Sequence, residues 1–109
     1  MGREEGKKYD KGKERWDLVP YDALEEVVKV YTLGAEKYGE RNWEKGISYT
    51  RIFAAVMRHI VAWWNGEDAD SESGLSHLAH AAWGMLALLY YEKHRKEFDD
   101  RSVGRTVKR

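Results

Sequence analysis

The segment Leu75–Tyr91 reads LSHLAHAAWGMLALLYY. Its apolar residues fall nearly all round a helix rather than along one stripe, the pattern of a helix enclosed by other elements. Spanning a bilayer takes roughly 18–20 apolar residues, and no run in this chain approaches that. The segment therefore reads as the central, most buried helix of a small domain. The helix is expected over about 72–98, capped by Asp70 or Ser71, after the acidic turn EDADSESG at 67–74.

Two further helices flank it upstream. Pro20, the single proline, suits the first helical position, where a missing N–H costs nothing. From there Leu24, Val27, Val28, Tyr31, Ala35 and Tyr38 recur at three- and four-residue steps, which predicts an amphipathic helix over about 20–38 stopped by Gly39. Thr50 is the expected N-cap of another helix over about 51–65, with Phe53, Val56, Met57, Ile60 and Trp64 as its apolar stripe and Asn65-Gly66 as its end. Between them, GERNWEKGISY at 39–49 reads as a structured loop. Residues 1–15 lack periodicity and read as a flexible charged arm, with Trp16, Leu18 and Val19 expected to fasten it to the body. Residues 99–109 read as a basic tail. The fold class is thus all-α: one helical domain over 16–98, a small bundle of about three main helices.

With 109 residues the core is thin, and five Trp and seven Tyr are many for that length. Small domains bury a smaller fraction of their surface, and aromatics suit both cores and subunit contacts, so the bundle is expected to be completed by homo-oligomerisation. The absence of cysteine excludes disulfides, thiolate zinc sites and a cysteine nucleophile. The charged N-terminus lacks the apolar segment of a signal peptide, so no membrane association and a cytoplasmic location are expected. Net charge is zero, yet residues 17–91 carry a balance of −5 between basic ends of +2 and +3. An acidic body argues against a nucleic-acid-binding core and is compatible with carboxylates gathered to hold metal.

The polar residues set into apolar helices are the candidates for chemistry. His77 and His80 are three apart and share a helix face, which Ala81 and Gly84 continue with little bulk. His59, beside Arg58 on the second helix, also sits above small residues. Either these imidazoles are satisfied by carboxylates or carbonyls in a structural network, or they act as acids and bases. Arg58 is able to clamp a phosphate, or to pair with the acidic turn. Glu67, Asp68 and Glu72 crowd that turn, and hard oxygen donors suit Mg²⁺ or Mn²⁺; solvated capping residues are the plain alternative. In the loop from Glu36 through Lys37, Tyr38, Arg41 and Asn42 to Trp43, cations suit phosphate, the amide suits a base edge and the aromatics suit a base face. No GxSxG, Walker loop, HExxH or adjacent His-Asp pair occurs.

Three stretches, KYDKGKERWDLVPYDALEEV, YTLGAEKYGERNWEKGISYTR and RHIVAWWNGEDADSESGLSHLAHAAWGMLALL, together resemble the N-terminal domain family of phage dATP/dGTP diphosphohydrolases. The resemblance runs from about Tyr9 to Tyr91. It implies metal-dependent conversion of a purine deoxynucleoside triphosphate to monophosphate and pyrophosphate, and kinship to the all-α MazG-like pyrophosphohydrolases. It places Glu36 through Trp43, Arg58, His59, Glu67, Asp68, Glu72, His77 and His80 within the shared motifs. MazG-like enzymes usually hold Mg²⁺ with E-x-x-E and E-x-x-D on helices; here Arg58-His59 and His77-x-x-His80 stand there instead, so that quartet does not transfer. The expected assignment is His59, His77 and His80 as catalytic groups, Glu67, Asp68 and Glu72 as metal ligands for Mg²⁺ or Mn²⁺, and Glu36, Lys37, Tyr38, Arg41, Asn42, Trp43 and Arg58 around a purine nucleotide. The alternative is a non-catalytic nucleotide-binding or regulatory helical oligomer.

Overall fold

The computed structural model describes residues 2–101. Three α-helices carry the fold: α1 Tyr21–Tyr38, α2 Tyr49–Trp64 and α3 His77–His94, with short 3-10 turns at Trp16–Leu18, Asn42–Lys45 and Lys96–Phe98. The described residues form no strand beyond one isolated bridge between Ala69 and Ser76. None of their helices is long and apolar enough to cross a membrane.

Helix α3 is the central element, as its sequence predicts. It packs on α2 along one side and on α1 along another. Toward α2 the core gathers Tyr49, Ile52, Val56, Ala81 and Tyr91; toward α1 it gathers Val27, Val30 and Ala79. Trp83 reaches both groups and joins them. The contacts His59–His77, Val56–Gly84 and Tyr49–Tyr91 run in opposite chain order, so α2 and α3 are antiparallel.

Gly84 sets how closely these helices approach. A β-carbon there would collide with the Val56 Cγ2 methyl. Val56 is β-branched, so its χ1 has little freedom on a helix. Gly84→Val is therefore expected to cost about 1–3 kcal/mol through overpacking, read by urea denaturation. Adding Val56→Ala should recover part of that loss; no recovery would place the strain elsewhere.

The structure corrects several boundaries. Helix α3 begins at His77, not near 72, and its cap is Ser76, whose hydroxyl accepts the Leu78 N–H at 3.1 Å. The five residues before it are kept out of the helix by their own side chains. Asp70 Oδ2 accepts from Ser73 N–H at 2.9 Å, Ser73 Oγ accepts from Leu75 N–H at 3.1 Å, and Gly74 takes φ +74°. Asp and Ser compete with helical hydrogen bonding in this way wherever a local alternative exists.

On α2, the buried side is Tyr49, Ile52 and Val56, with Ile60 half-buried. Phe53, Met57 and Trp64 of the predicted stripe are 58%, 38% and 79% exposed, so that face points outward. On α1, Val30 takes the core position expected for Val28. Trp16 and Leu18 stay mostly exposed and do not fasten the arm. Thr50 lies inside the first turn of α2 instead of capping it. Asp100, expected in the tail, folds back to accept from Thr50 N–H at 3.0 Å and from its hydroxyl at 2.7 Å. Asp100→Ala is accordingly expected to cost about 1 kcal/mol, the usual size of a lost helix cap, in chemical denaturation of the full chain. An unchanged midpoint would mean that this contact adds nothing to stability. The tail from 102 to 109 lies outside the described residues.

Candidate functional site

One end of α2, the loop that follows it and the start of α3 bring a polar cluster together. His77 is 4% exposed, the buried polar residue of the core. Its Nε2 lies 2.7 Å from Glu67 Oε2, and its Nδ1 lies 2.9 Å from His59 Nδ1. The His77 N–H also donates to the Asp68 carbonyl at 3.0 Å, which ties the loop to the helix start. His80, one turn further, stacks on His59 with ring centroids 4.6 Å apart and planes 7° from parallel. Its Nε2 lies 2.7 Å from Ser73 Oγ and 4.0 Å from Asp70 Oδ2.

Burial, reinforced by the neighbouring histidines, pushes the His59 pKa below its ordinary value. Burial does the same to His80, against the opposing pull of Asp70. His80 is thus neutral at pH 7, and its approach to Asp70 is a polar contact rather than an ion pair. Burial also works to raise Asp70, but the hydrogen bonds from Ser73 and the nearby His80 outweigh it and hold the carboxyl below its usual range.

Beside this cluster opens a cleft of about 510 Å³. His80 belongs to both, so the cluster meets the cleft through that one imidazole. Helix α1 contributes Tyr31, Gly34, Lys37 and Tyr38; the loop contributes Asn42 and Trp43; α2 contributes Arg51 and Arg58; α3 contributes Trp83. The lining holds three cations and no carboxylate. Trp43 and Trp83 meet edge to face at 6.1 Å, each also against Tyr31. The site therefore combines clustered aromatic rings with cationic side chains, the two kinds of group that suit a base and a polyphosphate.

Most of the predicted substrate residues converge here: Lys37, Tyr38, Asn42, Trp43 and Arg58 all line the cleft. Two do not. Arg41 is turned away in an ion pair with Glu44 at 2.6 Å, and Glu36 lines a separate shallow groove on the other side of α1 with Glu25 and Lys29. Of the expected metal ligands, Glu67 reaches the cluster through His77, while Asp68 and Glu72 are exposed on the loop. Three cleft residues escaped the sequence reading. Arg51 had a legible signal: seven residues before Arg58, it occupies the same face of α2 two turns away. Trp83 likewise follows His80 by three. Tyr31 was read only as part of the α1 core stripe.

The divalent metal implied by the family resemblance has a donor set to match. Among the described residues, His59, Asp70 and His77 each offer one ligand atom, all within 4.8 Å of one another. Two imidazoles and a carboxylate are a chemically reasonable set for a first-row divalent ion.

Fold and cleft together define a small all-α domain with a cleft lined by cationic and aromatic side chains. The chain belongs to the family described as dATP/dGTP diphosphohydrolase, N-terminal, which it matches over residues 3–101. It is 38% identical over 96 residues to a dATP/dGTP diphosphohydrolase of Salmonella phage PMBT28. That alignment covers 88% of this chain and 33% of the phage protein, so the chain spans about a third of its relative's length. No solved structure matches the chain significantly.

Proposed function

We propose that this domain binds a purine deoxynucleoside triphosphate in the cleft and hydrolyses it to the monophosphate and pyrophosphate, with a divalent cation. The carrying observation is the cleft itself: Lys37, Arg51 and Arg58, with no carboxylate, line it together with Tyr31, Trp43 and Trp83. A triphosphate brings three or more negative charges, and guanidinium forks match phosphate oxygens two at a time. The activity for which the phage relative is named supports the same reaction.

In this reading Arg51 and Arg58 hold the phosphate chain, Asn42 meets the base edge and Trp43 lies along its face. Water attacks the α-phosphorus, the bond from that phosphorus to the oxygen bridging to the β-phosphate breaks, and pyrophosphate leaves. His80 stands at the cleft wall to take the proton lost by water. His59, His77 and Asp70 would hold a divalent ion, which would supply charge neutralisation on phosphate and a more acidic water.

The test is a panel of deoxy- and ribonucleoside triphosphates incubated with Mg²⁺ or Mn²⁺, with products separated by chromatography. Monophosphate and pyrophosphate from a purine deoxynucleotide are expected. Tight nucleotide binding without product would instead favour the binding or regulatory reading. Arg51→Ala should weaken nucleotide binding at least about tenfold, as loss of a charge-assisted hydrogen bond of roughly 1.5–3 kcal/mol implies. Unchanged affinity would remove Arg51 from the phosphate site.

We also propose that the domain self-associates. Phe53, Met57, Val61 and Trp64 form a continuous exposed stripe down α2, and a second copy offers the same apolar face in return. Light scattering that reports a monomer at high concentration would refute this.

A further inference from the structure

We propose that His59, His77 and Asp70 form a binding site for a single first-row transition-metal ion, with Glu67 orienting His77 from behind, and that this site prefers Mn²⁺, Co²⁺ or Zn²⁺ to Mg²⁺. The proposal rests on the preceding functional reading only for what the ion would do, not for where it binds. It moves the ion from the acidic turn to the junction of α2 and α3.

The argument begins with the proton on His77. Its Nε2 faces the Glu67 carboxylate at 2.7 Å, and an ionised carboxylate only accepts hydrogen bonds. The proton of neutral His77 therefore sits on Nε2, and Nδ1 carries a bare lone pair. That lone pair points at His59 Nδ1, 2.9 Å away. Either His59 donates a proton across the gap, or both nitrogens turn lone pairs toward one cation. Two nitrogens at this separation lie within the span that two ligands of one first-row ion occupy, at metal–nitrogen distances of about 2.0–2.1 Å. A third donor is close by: the ligand atoms of His59, Asp70 and His77 lie within 4.8 Å of one another, so a small side-chain adjustment would bring the carboxylate onto the same ion. Ser73 N–H fixes the Asp70 carboxylate at 2.9 Å.

The Glu67–His77 pair repeats an arrangement common at metal centres, in which a ligating imidazole gives its other N–H to a carboxylate that fixes its tautomer and raises its basicity. A salt-bridge role explains Glu67 less well, because Glu67 is more than half exposed while His77 is buried. The donor chemistry sets the preference among ions. Mg²⁺ takes oxygen ligands and keeps much of its water, whereas imidazole nitrogen suits the later first-row metals. His80 is stacked on His59 and lines the cleft, so the proposed ligands adjoin the cleft through that one imidazole.

The experiment is titration of the chelator-stripped full chain with Co²⁺ and with Zn²⁺, followed by calorimetry and, for Co²⁺, by visible absorption. One equivalent should bind with a protein-dependent spectrum, and Mg²⁺ in large excess should not displace it. His59→Ala and Asp70→Ala should abolish that equivalent. Glu67→Gln should retain it with affinity lowered about 10–100-fold, the usual consequence of losing such an outer partner. Circular dichroism shows that each variant is folded; His59→Gln serves if His59→Ala is not. Failure of the folded wild-type chain to bind one equivalent would overturn the site. Binding that survives His59→Ala but is lost in Asp68→Asn or Glu72→Gln would return the ion to the acidic turn and overturn it as well. Turnover is scored separately. Stoichiometric Co²⁺ with no cleaved nucleotide would sink the proposed reaction and leave the site standing, whereas Mg²⁺-supported cleavage without Co²⁺ binding would do the reverse.

Discussion

His80→Ala is expected to lower kcat for a purine deoxynucleoside triphosphate by about 10²–10⁴-fold, the range associated with loss of a positioned acid or base. Three observations converge on this residue. It is the one histidine among the described residues that lines the cleft, so it alone of the cluster can touch a bound nucleotide directly. Burial holds it neutral at pH 7, which leaves a lone pair to receive a proton. Its ring is held in place by stacking on His59 and by the Ser73 hydroxyl at 2.7 Å, and such fixing of the imidazole is what a proton transfer within one encounter requires. Because its side chain is only partly enclosed, removal should cost less in folding than loss of a buried core group. KM should change little if the cations carry most of the nucleotide affinity. A large fall in kcat with near-normal KM and near-normal denaturation would place His80 at the reacting atoms. A rise in KM alone would make it a wall of the cleft, and normal turnover would remove it from the reaction.

The histidines also show where sequence reading stops. That His77 and His80 share one helix face followed from their spacing. What they do on that face did not, because each turns to a different partner: His77 inward to His59 and Glu67, His80 outward to Ser73 and the cleft. Those partners lie seven to eighteen residues away, and nothing local encodes the pairing. The central position of α3 was legible because its apolar residues leave no polar face. The inner side of α2 was not, for the opposite reason. That helix has one apolar row at Tyr49, Ile52 and Val56 and a second at Phe53, Met57 and Trp64, and periodicity alone does not say which row meets α3. Gly84 decides it, since the approach of Val56 needs the missing β-carbon, but that information resides on another helix. The late start of α3 was legible in principle. Asp70, Ser73, Gly74 and Ser76 are residues that divert backbone hydrogen bonds into turns, and reading them as a helix gave apolar periodicity more weight than turn chemistry.

Tyr91→Ala is expected to be the most damaging single substitution to stability, at about 3–5 kcal/mol, the range for truncating a buried large aromatic. Tyr91 is fully buried, its ring stacks on Tyr49 with centroids 6.1 Å apart, and it meets the rings of Trp43 and Tyr90. A domain whose total stability is roughly 5–15 kcal/mol, and whose small size places it toward the low end, would be largely unfolded at modest temperature by such a loss. Tyr91→Phe separates the ring from the hydroxyl. The hydroxyl donates to the Trp43 carbonyl at 2.6 Å, and that carbonyl also accepts from the Gly46 N–H at 3.1 Å, so the phenylalanine removes one of two donors at a cost of about 0.5–1.5 kcal/mol. Trp43 lines the cleft and Tyr91 does not, so this hydrogen bond is one tie between the core and the loop that carries Trp43, beside that from Arg95 Nε to the Glu44 carbonyl at 2.9 Å. Tyr91→Phe should therefore also weaken purine nucleotide binding, measured by calorimetry at a temperature where the variant is fully folded. Lost stability with unchanged nucleotide affinity would show that Trp43 is held in place without this hydrogen bond, its edge-to-face contacts with Tyr31, Trp83 and Tyr90 being sufficient.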